Sequence, residues 1–284
     1  MKRFITSAVT IALAMTLGLS NSVANDRFKD VEIKASKVSG NVYMLAGFGG
    51  NIGVLVGDDG TLMIDDQFEP LAPKIEAAIK ELSSNPKVSY VVNTHYHGDH
   101  TGSNPYFSKS ASMLAHMNVR ERLARKGSSG LPVITYNDGV MLHLNGEDVH
   151  VKHLPAGHTD GDSVVFFPKA NVWHLGDLFF NGLFPYVDTD GGGSVQGYMD
   201  NIEYLLTEIS DDAKIIPGHG PLTDKNSLAK LLAMMVATKA EVDKMKAQGL
   251  SLEQAIAQGL DSKWKKWDWN FITEEKWITT LYNS

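Results

Sequence analysis

Residues 88–102 read VSYVVNTHYHGDHTG, a short apolar run followed at once by a loop rich in histidine. The run at 88–92 is nearly all apolar, which is typical of a strand buried on both faces. The loop then holds four potential metal ligands within six residues: His95, His97, Asp99 and His100. Neighbouring imidazoles repel one another when protonated and need partners when buried, so this grouping indicates a bound metal ion.

Three further candidate ligands share one pattern, in which a polar side chain follows an apolar strand and has glycine neighbours. They are His158 in PAGHT (155–159), Asp177 in LGDL (175–178) and His219 in PGHGP (217–221). Glycine lets the backbone approach a ligand closely, and loops at strand ends are where rigid scaffolds carry functional groups. Each motif alone predicts only a turn. Together with the first loop, they predict one site with seven ligands.

The spacing within the first loop predicts how its ligands divide between ions. Alternate residues of an extended segment point the same way, so we expect His95 and His97 to share one ion. Asp99 and His100 follow the small Gly98 and can turn toward a second ion. The chain has no cysteine, which excludes thiolate ligands, thiolate nucleophiles and disulfides. Imidazole and carboxylate without thiolate are a ligand set typical of hydrolytic zinc sites.

Residues 1–24 predict a signal peptide. Lys2 and Arg3 precede an uncharged apolar run, and residues 22–24 (SVA) offer the small side chains that a signal peptidase requires. The run is shorter than the ~20 residues of a membrane-spanning helix, so we expect a periplasmic or secreted protein without a membrane anchor after cleavage. Cleavage would remove two basic residues from a chain of formal net charge −7. A chain with this negative net charge lacks the basic surface that is typical of a nucleic-acid-binding protein.

Hydrophobic periodicity predicts an alternation of strands and helices, with strands in the majority. Predicted strands occupy residues 41–45, 51–56, 61–64, 88–92, 140–144, 149–154, 163–167, 171–175 and 214–216. Predicted helices occupy residues 74–82, 117–126, 198–209, 225–247 and 252–258, and residues 25–39 form an extended lead-in. The two halves have a similar layout, which favours two packed sheets with helices outside. We expect one domain at 25–284, with its core at about 31–222 and a helical extension at 225–284.

Four motifs, in this order along the chain, resemble those of the metallo-β-lactamase superfamily. They are His95-x-His97-x-Asp99-His100, Gly157-His158-Thr159, Gly176-Asp177 and Pro217-Gly218-His219-Gly220. The resemblance covers residues 31–222 and implies an α/β fold of four layers, αββα, with C-terminal helices after it. It implies two zinc ions, one held by His95, His97 and His158, and the other by Asp99, His100 and His219. Asp177 resembles the carboxylate that bridges the ions, and Asp65 resembles an aspartate that orients a ligand.

The same resemblance implies a hydrolase that acts on a small-molecule substrate. The two ions would supply a hydroxide near neutral pH and polarise the substrate carbonyl. Asp99 would be the catalytic residue, which orients the hydroxide and passes its proton to the leaving group. The scissile bond would be an ester, thioester, lactone or amide, the last as in a β-lactam.

Two features of the chain favour different substrates. Zinc β-lactamases of the superfamily carry cysteine or a non-ligand residue where this chain has Asp177. The aspartate resembles instead the thioesterases, lactonases and hydroxyacylglutathione hydrolases. Export favours β-lactamase as the main role, because β-lactams arrive in the periplasm. Two other classes stay open: an iron-dependent persulfide dioxygenase of the same superfamily, which holds one iron with few ligands, and a metal-storage protein without turnover.

The remaining aromatic side chains and histidines are predicted to have mainly structural roles. Hydrogen-bonded or exposed positions are expected for His116, His143, His150, His153 and His174. The residues after Asp177 either line the substrate pocket or pack in the core: Phe179, Phe180, Phe184 and Tyr186. The tryptophans of the C-terminal tail are expected to pack the last helix onto the sandwich: Trp264, Trp267, Trp269 and Trp277.

Overall fold

The structure, a computed structural model, describes residues 27–284, and residues 33–284 form one compact unit. The predicted signal peptide at 1–24 lies outside the described residues. Within residues 27–284, no helix combines the length and the apolar character needed to span a membrane.

The first sheet has seven strands among the described residues, in the order β1-β2-β3-β4-β5-β6-β7. Their bounds are β1 (Lys34–Ser39), β2 (Val42–Ala46), β3 (Ile52–Leu55), β4 (Thr61–Ile64), β5 (Val88–Asn93), β6 (Ser112–His116) and β7 (Ile134–Tyr136). Strands β1 to β4 pair antiparallel, and β4 to β7 pair in parallel. Strands β3 and β4 form a hairpin, and Gly60 in the turn between them has φ +100°, a backbone conformation that favours glycine.

The second sheet has five strands within the described part of the chain, in the order β12-β11-β10-β9-β8. Their bounds are β8 (Gly139–Leu144), β9 (Glu147–His153), β10 (Ser163–Phe167), β11 (Val172–His174) and β12 (Lys214–Ile216). Strand β9 alternates buried and exposed residues, as expected where one face of the sheet is solvated. Strands β9 and β11 both pair antiparallel with β10, and β12 runs parallel to β11. Strands β9, β11 and β12 therefore end on the same side of the sheet.

Helices flank the two sheets and complete the αββα sandwich. Their bounds are α1 (Ala72–Lys80), α2 (Gly98–Thr101), α3 (Asn104–Phe107), α4 (Met117–Arg125), α5 (Val195–Glu208), α6 (Lys225–Ala247), α7 (Leu252–Gln258) and α8 (Glu274–Tyr282). Polar caps begin the C-terminal helices: Asp224 accepts from the Ser227 amide at 3.0 Å, and Ser251 and Gln254 form a capping box. Such caps satisfy amide groups that the first helical turn leaves unpaired.

Two hydrophobic layers hold the sandwich together. The inner layer joins the facing sides of the two sheets, for example Leu62 and Val92 from the first with Val151 and Phe167 from the second. The outer layer packs the second sheet against α5, α6 and α8, with Ile202, Leu231 and Trp277 fully or almost fully buried. The C-terminal helices thus share a core with the second sheet.

The structure corrects the predicted elements in three places. The lead-in at 25–39 contains a strand, β1, whose residues are mostly exposed and which pairs with β2 at the sheet edge. Strands β6 and β7 were not predicted, since both are short and form by parallel pairing beyond β5. The histidine-rich loop is not wholly irregular, because it contains α2 and the start of α3. Both helices begin after His97, whose own backbone is extended.

Candidate metal centre

All seven predicted ligands meet at one edge of the sandwich. The first group comprises His95, His97, His158 and Asp177, and the second comprises Asp99, His100 and His219. Within each group, one ligand atom per residue lies within 4.8 Å of the others. The reason is strand direction, because β5, β9, β11 and β12 each end at this edge and the loop after each one carries ligands.

Asp177 lies close to histidines of both groups, through different oxygens. Its Oδ2 lies 3.4 Å from His158 Nε2 and 3.7 Å from His95 Nε2. Its Oδ1 lies 3.1 Å from His100 Nε2 and 3.4 Å from His219 Nε2. Two ligand atoms of a tetrahedral zinc ion lie roughly 3.3–3.6 Å apart when each is ~2.0–2.2 Å from the metal. The separations around both oxygens, 3.1–3.7 Å, lie within about 0.2 Å of that range.

Three of these ligand atoms are buried without a hydrogen-bond partner in the described part of the chain: His95 Nε2, His100 Nε2 and Asp177 Oδ1. Buried polar atoms are almost always paired, and each unpaired one costs free energy. Because the donors are imidazole and carboxylate and all three atoms face the same small region, bound cations would satisfy them. The residues present therefore fit a divalent metal of the zinc type.

Hydrogen bonds behind the ligands orient the imidazole rings. The Nδ1 of His100 donates to Asp65 Oδ2 at 2.7 Å, and the same oxygen accepts from the Thr94 hydroxyl at 2.8 Å. The Nδ1 of His158 donates to the Tyr186 carbonyl at 2.7 Å. In both rings the other nitrogen, Nε2, is left as the metal-binding atom. The position of Asp65 agrees with its predicted role of orienting a ligand.

A further residue of the site, Asp188, was missed from the sequence. Its Oδ2 accepts from His97 Nε2 at 2.8 Å and from the Tyr96 hydroxyl, while Oδ1 accepts from the Gly191 amide at 2.8 Å. His97 thereby presents Nδ1, which lies 2.9 Å from His158 Nε2. Asp188 follows no strand and belongs to no local motif, so only its contact with a ligand identifies it.

Burial and opposing charges shift the pKa values of the ligands. Burial lowers the pKa of His95, and it lowers that of His158 to about 4. Burial also disfavours the charged form of His219, but Asp177 and Asp99 outweigh it and raise this pKa to about 9. Burial opposes ionisation of Asp99 as well, yet His100 and His219 hold its pKa at about 2. Among protein groups alone, protonated imidazoles thus neutralise Asp99 and Asp177, and a bound metal cation can replace those protons.

Two glycines are required by the close packing of the ligands. A Cβ on Gly218 would collide with Asp177 Oδ1, and a Cβ on Gly50 would collide with the ring of His100. Gly218 belongs to the predicted motif around His219, whereas Gly50 belongs to none of the predicted motifs. Any larger residue at either position would displace a ligand.

The aromatic residues after Asp177 divide between the two predicted roles. Phe179 and Phe184 are fully buried in the outer hydrophobic layer. Phe180 stacks on His219 with ring centroids 5.0 Å apart, and Tyr186 lies 5.5 Å from the ring of His97. Core packing is therefore confirmed for Phe179 and Phe184, whereas Phe180, which is also buried, and the partly exposed Tyr186 lie beside predicted ligands.

The other histidines lie outside the two ligand groups. His174 is buried, with Nε2 3.2 Å from the Asn51 carbonyl, and its Nδ1 accepts from the Gly176 amide. His116 caps α4 and stacks on His153 with centroids 3.7 Å apart. His143 is exposed and pairs with Asp148. His150 is exposed on β9. These positions agree with the predicted hydrogen-bonded or exposed roles.

The sequence profile of the metallo-beta-lactamase superfamily matches residues 45–219, which is more than half of the chain. The chain belongs to this superfamily. An uncharacterized protein of Aquifex aeolicus is 28% identical over 161 residues, which cover 52% of this chain and 74% of that protein. Metallo-beta-lactamase IND-1 of Chryseobacterium indologenes is 29% identical over 210 residues, 71% of this chain and 87% of that enzyme.

Solved structures agree with the fold of the superfamily. The crystal structure of DIM-1 metallo-beta-lactamase superposes with a TM-score of 0.65 at 19% identity, and the match covers 74% of this chain and 100% of that one. Members of the superfamily are generally hydrolytic metalloenzymes. This superfamily member is thus a metallohydrolase of αββα fold with a metal-binding cluster of histidines and aspartates.

Proposed function

We propose that the chain is an exported zinc hydrolase that holds two ions and cleaves an ester, thioester, lactone or amide bond of a small molecule. The observation that carries the proposal is the Asp177 carboxylate, whose two oxygens face two separate groups of histidines. One carboxylate shared between two complete ligand sets is the arrangement expected of a two-metal hydrolase. When bound, zinc lowers the pKa of water and polarises a substrate carbonyl.

The side chains of the site would have two roles in the reaction, metal binding and proton transfer. His95, His97 and His158 would hold one ion, and Asp99, His100 and His219 the other, with Asp177 shared. Asp99 is the catalytic residue, because it is only partly buried and its Oδ2 lies 3.3 Å from His219 Nε2. At that place its carboxylate can accept a proton from the nucleophile and deliver it to the leaving group.

The Asp177 side chain favours the thioesterase and lactonase branch of the superfamily over β-lactamase as the main role. The rival β-lactamase function is supported by the likeness to IND-1, which is a β-lactamase by name. An iron-dependent persulfide dioxygenase is less consistent with a shared carboxylate and six further ligands. A storage protein would be expected to surround its ion fully, whereas His97, Asp99 and His219 are partly exposed.

The test uses the protein without residues 1–24, stripped of metal and reloaded with zinc or iron. A β-lactam, an acyl-homoserine lactone, a thioester and a phosphodiester are assayed in parallel, and metal content is measured on the same samples. We expect two zinc ions per chain and turnover of the thioester or lactone above that of the β-lactam. Persulfide oxidation by the iron form alone, or zinc binding without any turnover, would contradict the proposal.

Export is a separate part of the proposal. We expect a signal peptidase to cleave after residue 24, so that the protein in the periplasm or medium begins at Asn25. Mass spectrometry of the protein recovered from fractionated cells measures this directly. Recovery of intact Met1 in the membrane fraction would contradict export by cleavage.

A further inference from the structure

The loop at residues 268–272, which lies just before α8, packs against the predicted metal ligands. The ring of Trp269 is 5.8 Å from that of His219 and 6.0 Å from Phe180, which itself stacks on His219. This loop is about fifty residues beyond His219, where the match to the superfamily profile ends. The contact therefore comes from a part of the chain that lies outside the matched profile.

Phe271 extends this aromatic surface toward the first ligand group. Its ring is 5.5 Å from Trp269 and 5.3 Å from Tyr186. Tyr186 in turn lies 5.5 Å from the ring of His97 and 5.6 Å from that of His158. A continuous series of rings, named here the aromatic wall (Phe180, Trp269, Phe271 and Tyr186), thus borders both ligand groups.

Hydrogen bonds hold the aromatic wall in place. Trp269 Nε1 donates to the Phe184 carbonyl at 2.9 Å, and the Phe184 amide donates to the Trp267 carbonyl at 2.8 Å. At the other end of the loop, Lys276 Nζ donates to the Phe271 carbonyl at 2.7 Å. A surface fixed in this way loses little conformational entropy when a ligand binds.

Phe271 stands out within the wall because 48% of it is exposed. An exposed phenylalanine adds little to the core, and single exposed apolar residues are common. Here, however, the ring joins other aromatic rings beside a metal centre. An apolar surface next to a few convergent polar groups is typical of a substrate-binding site.

We propose that the aromatic wall selects substrates with an apolar, ring-sized group on one side of the scissile bond. This proposal rests on the proposed hydrolase function for the reaction itself, but not for binding. The ring of the substrate would pack against Phe271 and Trp269 while the scissile carbonyl lies over the two ligand groups. Phe271 would then be a specificity-determining residue, since the ligands of the metal centre cannot distinguish apolar groups by size.

The first experiment compares three thioesters on the zinc-loaded protein: the ethyl thioester of acetic acid, the ethyl thioester of phenylacetic acid and the benzyl thioester of acetic acid. Because the chain has no cysteine, the released thiol can be followed with a thiol reagent without background. We expect one ring-bearing substrate to exceed the small one in kcat/KM by about tenfold, the scale of one well-packed aromatic contact. Phe271→Ala should reduce that ratio several-fold.

Met141→Ala is the matched control. Met141 is 49% exposed, close to the 48% of Phe271, but it lies on β8 in the second sheet, a strand that carries none of the predicted ligands. This variant should keep the wild-type preference, and circular dichroism should show that both variants fold. Equal kcat/KM for all three thioesters in the wild type, or an unchanged ratio in Phe271→Ala, would overturn the proposal.

The second experiment needs no turnover. Tryptophan fluorescence is titrated with phenylacetate and with acetate on the zinc-loaded wild type and on Phe271→Ala. We expect phenylacetate to bind the wild type about tenfold more tightly than acetate, and the difference to shrink in the variant. If this preference is found but no thioester or lactone is hydrolysed, the proposed hydrolase function is contradicted and the proposed role of the aromatic wall in binding is supported. If hydrolysis is found without any preference in either experiment, the wall proposal fails alone.

Discussion

Each oxygen of the Asp177 carboxylate faces a different group of histidines, so this one side chain links the two halves of the centre. Asp177→Ala would remove a ligand from both groups at once. We expect the ion of the second group to be lost first and kcat/KM to fall by roughly 10²-fold or more. Elemental analysis and steady-state kinetics on the same preparation measure both effects.

Glu147→Gln is a suitable control for Asp177→Ala. Glu147 is 7% exposed against 5% for Asp177, and its carboxylate accepts from backbone amides at a distant hairpin. That variant should keep the wild-type metal content. Full metal content and full turnover in Asp177→Ala would show that Asp177 is not a shared ligand.

Asp188 acts on the centre through His97. Asp188→Asn keeps an oxygen that can accept from Gly191 but loses the charge that fixes His97. We expect metal affinity of the first group to fall by roughly 10- to 100-fold, as is common for residues that orient a metal ligand. Chelator competition measures this affinity. Tyr96→Phe, which leaves the contact between Asp188 and His97 intact, should have a much smaller effect, and an equal loss in both variants would contradict the assignment.

At the scale of elements, a stacked pair of histidines joins the two halves of the sandwich. His116 ends β6 and its Nδ1 accepts from the Asn118 amide at 3.3 Å, while His153 ends β9 and donates from Nδ1 to the Asp162 carbonyl at 2.8 Å. Both contacts suit neutral rings. Burial lowers the pKa of each, although nearby aspartates oppose the shift.

This histidine pair should make stability depend on pH. Because the folded-state pKa values lie below the unfolded value of about 6.5, the unfolded chain binds more protons as pH falls below that value. The contribution of this pair to the free energy of unfolding is therefore fully present above pH about 7, and it decreases as pH falls below 6.5. In metal-stripped protein, we expect the Tm of His153→Gln to fall less between pH 7.5 and pH 5.5 than the Tm of the wild type. His143→Gln, at an exposed position, serves as the control and should lose as much as the wild type.

At the scale of the whole molecule, the C-terminal helices share their core with the second sheet. Trp277 is fully buried, donates from Nε1 to the Thr238 hydroxyl at 3.0 Å and stacks on Phe184 at 6.0 Å. Trp277→Ala should lower the free energy of unfolding by about 3–5 kcal/mol, the usual cost of such a cavity. Denaturant titration should show one transition for both proteins. Trp264→Ala, at a partly exposed position, should cost clearly less.

The expectation of one cooperative transition also tests the predicted single domain at 25–284. Two resolved transitions, with Trp277→Ala shifting only one, would show that residues 225–284 unfold independently of the sheets.

The sequence by itself determined the class of fold and the candidate ligands, which the structure brings together. Four ligands lie within six residues after a buried strand, and the other three follow strands with glycines beside them. This information is local, because residue chemistry and short spacing indicate a metal site without knowledge of the packing. Long helices such as α6, with its cap at Asp224, are local in the same sense.

Only the tertiary structure decided which distant parts of the chain meet. Strand β1 is exposed and polar, and it forms because β2 offers a free edge rather than because of its own pattern. The contact of Asp188 with His97 spans 91 residues, and Trp269 reaches His219 from the end of the chain. Such contacts depend on how hydrophobic layers pack, and local periodicity carries no information about them. The tail was predicted to pack the last helix, which Trp277 does, but its place beside the metal centre follows from packing alone.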